Sequence, residues 1–139
     1  MKKIFLLLVC LIFTCNISLA SWFSKKDKPF ILFNKNQITK DNVMDYTSEF
    51  DAGRRIYYLI AMPKEQYSRR LYIQIVKKDN AYERQGYNLV WTSDVKLKDE
   101  DIASYEDYVV INQPGCYVMQ VFSKDRPTKV YAESQFWVR

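Results

Sequence analysis

From Pro29 to Arg139, apolar residues recur mainly at every second position and gather in short runs rich in Tyr, Val, Ile, Phe and Trp. Period two over runs of this kind marks half-buried strands rather than amphipathic helices. The runs fall at Phe30–Phe33, Arg55–Met62, Arg70–Lys77, Tyr87–Thr92, Tyr108–Asn112, Tyr117–Ser123 and Val130–Val138. Turn-forming clusters separate them, among them Asp51-Ala52-Gly53, Pro63-Lys64-Glu65, Lys78-Asp79-Asn80, Gln113-Pro114-Gly115 and Lys124 to Thr128. About seven short strands at this spacing predict an all-β sandwich over residues 29–139. Thr39–Phe50 and Asp99–Tyr105 follow neither period, and each is open to one or two helical turns.

The first 28 residues are patterned differently. Lys2 and Lys3 precede an unbroken apolar run, Ile4 to Phe13, and a polar stretch then ends in Ser18-Leu19-Ala20. Charged start, apolar middle and small-residue end predict a secretory signal peptide over residues 1–20, cleaved after Ala20. At about 1.5 Å per residue the apolar run spans roughly 15 Å, half of a ~30 Å hydrocarbon core, which argues against a permanent membrane helix. A competing reading places cleavage just before Cys15, with the chain tethered through an acylated thiol; Thr14 then stands where such sites favour a smaller residue. Residues 21–28 read as a charged linker carrying Trp22 and Phe23. The expected location is the periplasm or the cell exterior, with a membrane-anchored lipoprotein as the alternative.

Charge and cysteine content narrow the classes. Without the two leader lysines, 19 basic residues (21 less two) face 16 acidic ones, spread among one another rather than gathered on one stretch, so no nucleic-acid partner is expected. Only Cys116 follows Ala20, so the domain must hold together without an internal disulfide, and Cys116 is instead a candidate for a bridge to another chain. The stretch Pro114-Gly115-Cys116-Tyr117-Val118-Met119, followed by a hairpin and then Ala132 to Val138, resembles the last two strands of immunoglobulin-like domains. That resemblance implies a tyrosine corner built on Gly115 and Tyr117, with the ring in the core and the hydroxyl returning to upstream backbone. Met119 stands where antibody domains carry a disulfide cysteine, so a disulfide-free relative is implied.

Candidate chemistry is sparse. Histidine is absent from the sequence, which excludes Ser-His-Asp and Cys-His devices. The three glycines of the domain, Gly53, Gly86 and Gly115, form no phosphate loop. Asp99, Glu100, Asp101, Glu106 and Asp107 gather acids in one region without the spacing of a calcium loop. No cofactor, metal or catalytic role is expected. Carrying period two outward from the core anchors gives the most specific pattern. With Leu71, Ile73 and Ile75, then Tyr117 and Val121, then Phe136 and Val138 inward, one sheet face presents Tyr72, Gln74, Val118, Gln120, Phe122, Tyr131, Gln135 and Trp137. Aromatic rings among amides suit recognition of a protein or of a sugar ring. Two function classes follow: a non-catalytic envelope module that docks a partner protein, and a carbohydrate-binding or carbohydrate-active sandwich.

Overall fold

The computed structural model describes residues 28–62, 69–78, 87–101 and 103–139, with only the backbone described for Tyr87 and Glu100. The expectations for the signal peptide, for Cys15 and for linker residues 21–27 lie outside the described residues. Among those described there are eight strands: β1 (Phe30–Asn34), β2 (Glu49–Phe50), β3 (Arg55–Ala61), β4 (Arg70–Lys78), β5 (Tyr87–Lys96), β6 (Ser104–Val110), β7 (Gly115–Ser123) and β8 (Val130–Val138). A single 3-10 turn, Asp99–Asp101, precedes β6. The strands form two sheets, ordered β1-β3-β6 and β2-β8-β7-β4-β5. All pairings are antiparallel except β2 on β8.

Alternation explains the packing. Ile56, Tyr58 and Ile60 of β3 face Leu71, Ile73 and Ile75 of β4 and Tyr117, Met119 and Val121 of β7 in one core cluster. At one end Phe33, Phe50, Phe136 and Tyr117 interlock across the sheets, with Phe33 and Phe136 centroids 4.8 Å apart and Tyr117 stacked on Phe136 at 5.7 Å. Such rings add directional contact to a large buried area.

The segment between β1 and β2 makes a second, smaller core. Asn34, buried at the end of β1, donates from Nδ2 to the Asn42 carbonyl (3.1 Å) and accepts from the Asn36 amide (3.0 Å). Asn42 in turn accepts from the Thr39 amide and donates to the Gln37 carbonyl. Braced in this way, the loop lays Ile38 and Val43 over Leu59, Ala61 and their neighbours on the outer face of the three-stranded sheet.

Three sequence expectations are corrected. Thr39–Phe50 holds turns and the short strand β2, not helical turns of the α type; side-chain caps from Asn34 and Asn42 satisfy its backbone instead. The strand expected at Tyr108–Asn112 begins at Ser104 and ends at Val110. Its first half, Ser-Tyr-Glu-Asp, carries no apolar alternation because the residue two beyond the core-packed Tyr105 is Asp107, whose carboxylate accepts from the Tyr105 hydroxyl and the Tyr108 amide. The strand count among the described residues is eight where about seven were expected, since the two residues of β2 are too few to show a period.

Candidate functional site

The outer face of the five-stranded sheet gathers most of the singled-out residues, and the register fixes their order. Tyr72 of β4 lies between Asp94 of β5 and Phe122 of β7. In the next outward row, Thr92, Gln74, Gln120 and Glu133 run across β5, β4, β7 and β8. Below it stand Leu89, Val76, Val118 and Gln135, and below those Lys78, Cys116 and Trp137. Six residues of β7 separate Cys116 from Phe122, about 20 Å at ~3.3 Å per residue, so the face has two aromatic ends with amides between them.

At the upper end the Tyr72 and Phe122 rings are half-buried, with centroids 6.2 Å apart and planes tilted by 44°. A groove of about 420 Å³ opens over them, lined by Tyr72, Gln74, Phe122, Ser123, Lys124 and Pro127. The turn after β7 brings Lys124 Nζ within 2.7 Å of Asp94 Oδ1. In the middle, Gln74 Nε2 donates to Gln120 Oε1 (2.8 Å), and Gln120 Nε2 donates to Glu133 Oε2 (3.2 Å). At the lower end Trp137 is 41% exposed and Leu89 60% exposed. Between them Val76 and Val118 are buried although they face away from the sandwich core.

Tyr131 does not join this face. Ala132 pairs with Val121 and Val130 with Phe122, so Tyr131 is the extra residue of a β-bulge in β8. The bulge breaks the period, and the ring packs against the sandwich core. A second bulge lies in β5, where Val76 pairs with Leu89 and Ile75 with Trp91. Val90, its extra residue, is 46% exposed at the sheet edge. Sequence reasoning missed Leu89, Val90, Asp94 and Lys124; the exposed Leu-Val pair of β5 was the available signal, and the bulge concealed it.

Gly115 and Tyr117 form the corner. The Tyr117 ring is buried, its hydroxyl donates to the Gln113 carbonyl at 2.6 Å, and burial pushes the phenol's pKa up. Gly115 has φ +156°, and a Cβ there would stand 2.7 Å from Lys77 Cε, whose side chain passes on towards the Tyr117 ring. Cys116 is a free, half-buried thiol paired across strands with Trp137.

Chemistry elsewhere is limited. No group of three or more metal-ligating side chains occurs among the described residues. Among the acids, Asp107 accepts from the Tyr105 hydroxyl at 3.2 Å and Asp99 pairs with Arg69. Burial, with Asp107 beside it, pushes the Tyr105 phenol to about 12. Tyr58, enclosed by Trp91 and Tyr105, is raised by burial and then by Tyr105 and Asp107. No described helix is long and apolar enough to cross a membrane.

No family model and no curated protein matches the chain. Solved structures resemble it in fold. The soluble domain of PmoD from Methylocystis sp. ATCC 49242 aligns with TM-score 0.50 at 11% identity, over 80% of this chain and 90% of that one. An immunoglobulin-like protein from Pseudomonas aeruginosa aligns with TM-score 0.47 at 15% identity, over 82% and 94%. The superoxide reductase neelaredoxin from Ignicoccus hospitalis aligns with TM-score 0.46 at 7% identity, over 81% and 80%. The described residues thus form an all-β fold of two sheets, similar at the level of fold to the PmoD soluble domain.

Proposed function

We propose that this protein is a non-catalytic, exported binding or scaffolding module that docks a partner protein of the cell envelope through the outer face of its five-stranded sheet. One contrast carries the reading. The outer face of the three-stranded sheet is covered by the chain's own Ile38 and Val43, whereas the lower end of the opposite outer face exposes Leu89, Val90 and Trp137 around an apolar floor of Val76 and Val118. Exposed apolar groups clustered beside a strand at the end of a sheet suit a protein surface, where a Trp anchor and β5 act together. Signal-peptide export and the envelope location rest on the residue pattern of Met1 to Ala20.

The test is capture of envelope proteins by the immobilised domain, comparing wild type with Trp137→Ala, Leu89→Glu and a control, Met44→Glu, on the covered side. Met44 is 59% exposed. Trp137→Ala is expected to weaken capture by at least about 2 kcal/mol, as truncated interface anchors do, with thermal unfolding unchanged and the Met44 variant behaving as wild type. Equal capture by all four proteins would remove the lower face from consideration, and elution of the wild type as a homodimer lost on Leu89→Glu would make the partner a second copy.

A further inference from the structure

At the opposite end of the same face, the groove over Tyr72 and Phe122 has a different character from the apolar patch around Trp137. We propose that it is a glycan site, taking a neutral, gluco-configured chain through one pyranose ring laid on Tyr72 and Phe122. This inference does not rest on the protein-docking reading, because it uses none of the residues about 20 Å away at the lower end.

Three observations carry it. The floor is two half-buried rings on neighbouring strands, 6.2 Å apart and inclined at 44°, an open seat for a flat, C–H-bearing face. A gluco-configured pyranose has such faces because its hydroxyls lie around the ring's equator. The rim supplies what an equatorial belt of hydroxyls needs. Gln74 uses one amide N–H on Gln120, and a primary amide has two donors and an acceptor carbonyl. Asp94 stands beside Tyr72 in register and Thr92 beside Gln74, so acceptors and a hydroxyl lie along one side of the floor. Finally, the cation lining the groove among the described residues, Lys124, is already matched by Asp94 at 2.7 Å. With that pair closed, no lining cation among the described residues is left for a phosphate or an acidic peptide. A volume of about 420 Å³ lies towards the lower end of the ~300–1,000 Å³ common to small-ligand sites, enough for a sugar ring and part of its neighbour.

The experiment is saturation-transfer NMR and calorimetric titration of the exported protein with cellohexaose and chitohexaose, and with hexaproline as a peptide of comparable length. Expected is binding of at least one hexasaccharide, weakened at least tenfold by Tyr72→Ala and by Phe122→Ala, retained by Tyr72→Phe, reduced by Gln74→Ala and unchanged by Trp137→Ala. Circular dichroism and melting of each variant exclude loss of fold, and Gln74→Ala tests the rim with both rings intact. Absence of saturation transfer from both glycans at millimolar concentration, or glycan binding indifferent to Tyr72, Phe122 and Gln74, overturns the proposal. Binding of hexaproline alone also overturns it, making the groove a peptide site. Capture of an envelope protein that depends on Trp137 while neither glycan binds leaves the docking reading standing and removes this one.

Discussion

Replacing Tyr117 tests the corner that ties the last hairpin to the core. The side chain does two separable things: its ring fills the space against Phe136, and its hydroxyl donates to the Gln113 carbonyl at 2.6 Å. Tyr117→Phe keeps the first and removes the second. A net intramolecular hydrogen bond contributes about 0.5–1.5 kcal/mol, and the cost rises only when the abandoned partner stays dry. Gln113 is an exposed residue, so water can take over its carbonyl and about 1 kcal/mol is expected. Tyr117→Ala removes a ring that is 1% exposed and leaves a cavity, for which about 3–5 kcal/mol is expected. Urea unfolding followed by circular dichroism and by tryptophan fluorescence measures both, and coincident transitions license the two-state treatment. The slope should stay constant while the midpoint falls, with the Ala variant losing several times as much as the Phe variant. Equal and negligible losses would refute the corner. A loss above about 3 kcal/mol for Phe alone would show that the Gln113 carbonyl is not rehydrated and that the reasoning from its exposure is wrong.

Tyr58 offers the opposite case, since its hydroxyl is buried without a hydrogen-bond partner among the described residues; Tyr58→Phe removes a dehydrated polar atom and is expected to be neutral or stabilising by up to about 1 kcal/mol in the same urea assay. Asn34→Ala should cost about 1–3 kcal/mol and speed amide exchange at Ile38 and Val43, because its two bonds brace the loop that lays these residues on the sheet. Alkaline stability follows from the raised phenols. Tyr58, Tyr105 and Tyr117 all titrate above their ordinary value in the folded state. The stability this represents is complete below an unfolded pKa of about 10 and is lost as pH rises through the folded values, for Tyr105 about 12. A melting series from pH 8 to 12 should therefore decline above about pH 10, and a Tyr58→Phe, Tyr105→Phe double variant should decline less.

Much of the sandwich was legible because its core strands obey one period. Leu71, Ile73 and Ile75, like Tyr117, Met119 and Val121, are all essentially inaccessible, so alternation alone assigned β4 and β7 to the right faces. The corner was legible for a second reason: a glycine-bearing turn followed by Tyr is a local motif whose geometry needs few distant contacts. Where the chain departs from the period, the sequence is silent. β2 is two residues long and exists because the Ser48 and Phe50 carbonyls accept from the amides of Trp137 on β8 and of Arg139 just beyond it, a pairing made across the chain. The loop over Ile38 and Val43 likewise depends on the Asn34 side chain donating to the Asn42 carbonyl, eight residues away.

The same distinction governs the candidate site. Seven of the eight face residues stand where the two-residue period puts them, and the eighth, Tyr131, is itself the extra residue of a bulge. Neither bulge carries a glycine, since Val90 and Tyr131 are the extra residues, so no residue type announced them. Their effect on the surface is nevertheless large. In β8 the bulge withdraws a ring from the upper end and leaves the groove to Tyr72 and Phe122, flanked by Val130 rather than by a third aromatic. In β5 it sets Leu89 in line with Val76 and Val118 and leaves Val90 exposed at the edge. One continuous aromatic face, as the period alone would draw it, thereby becomes two surfaces of different chemistry: an amide-rimmed groove sized for a small ring, and an apolar edge patch suited to a protein. Bulges at sheet edges redirect side chains in this way without altering the core behind them. The inward neighbours of both bulges, Val121 and Ile75, remain fully buried.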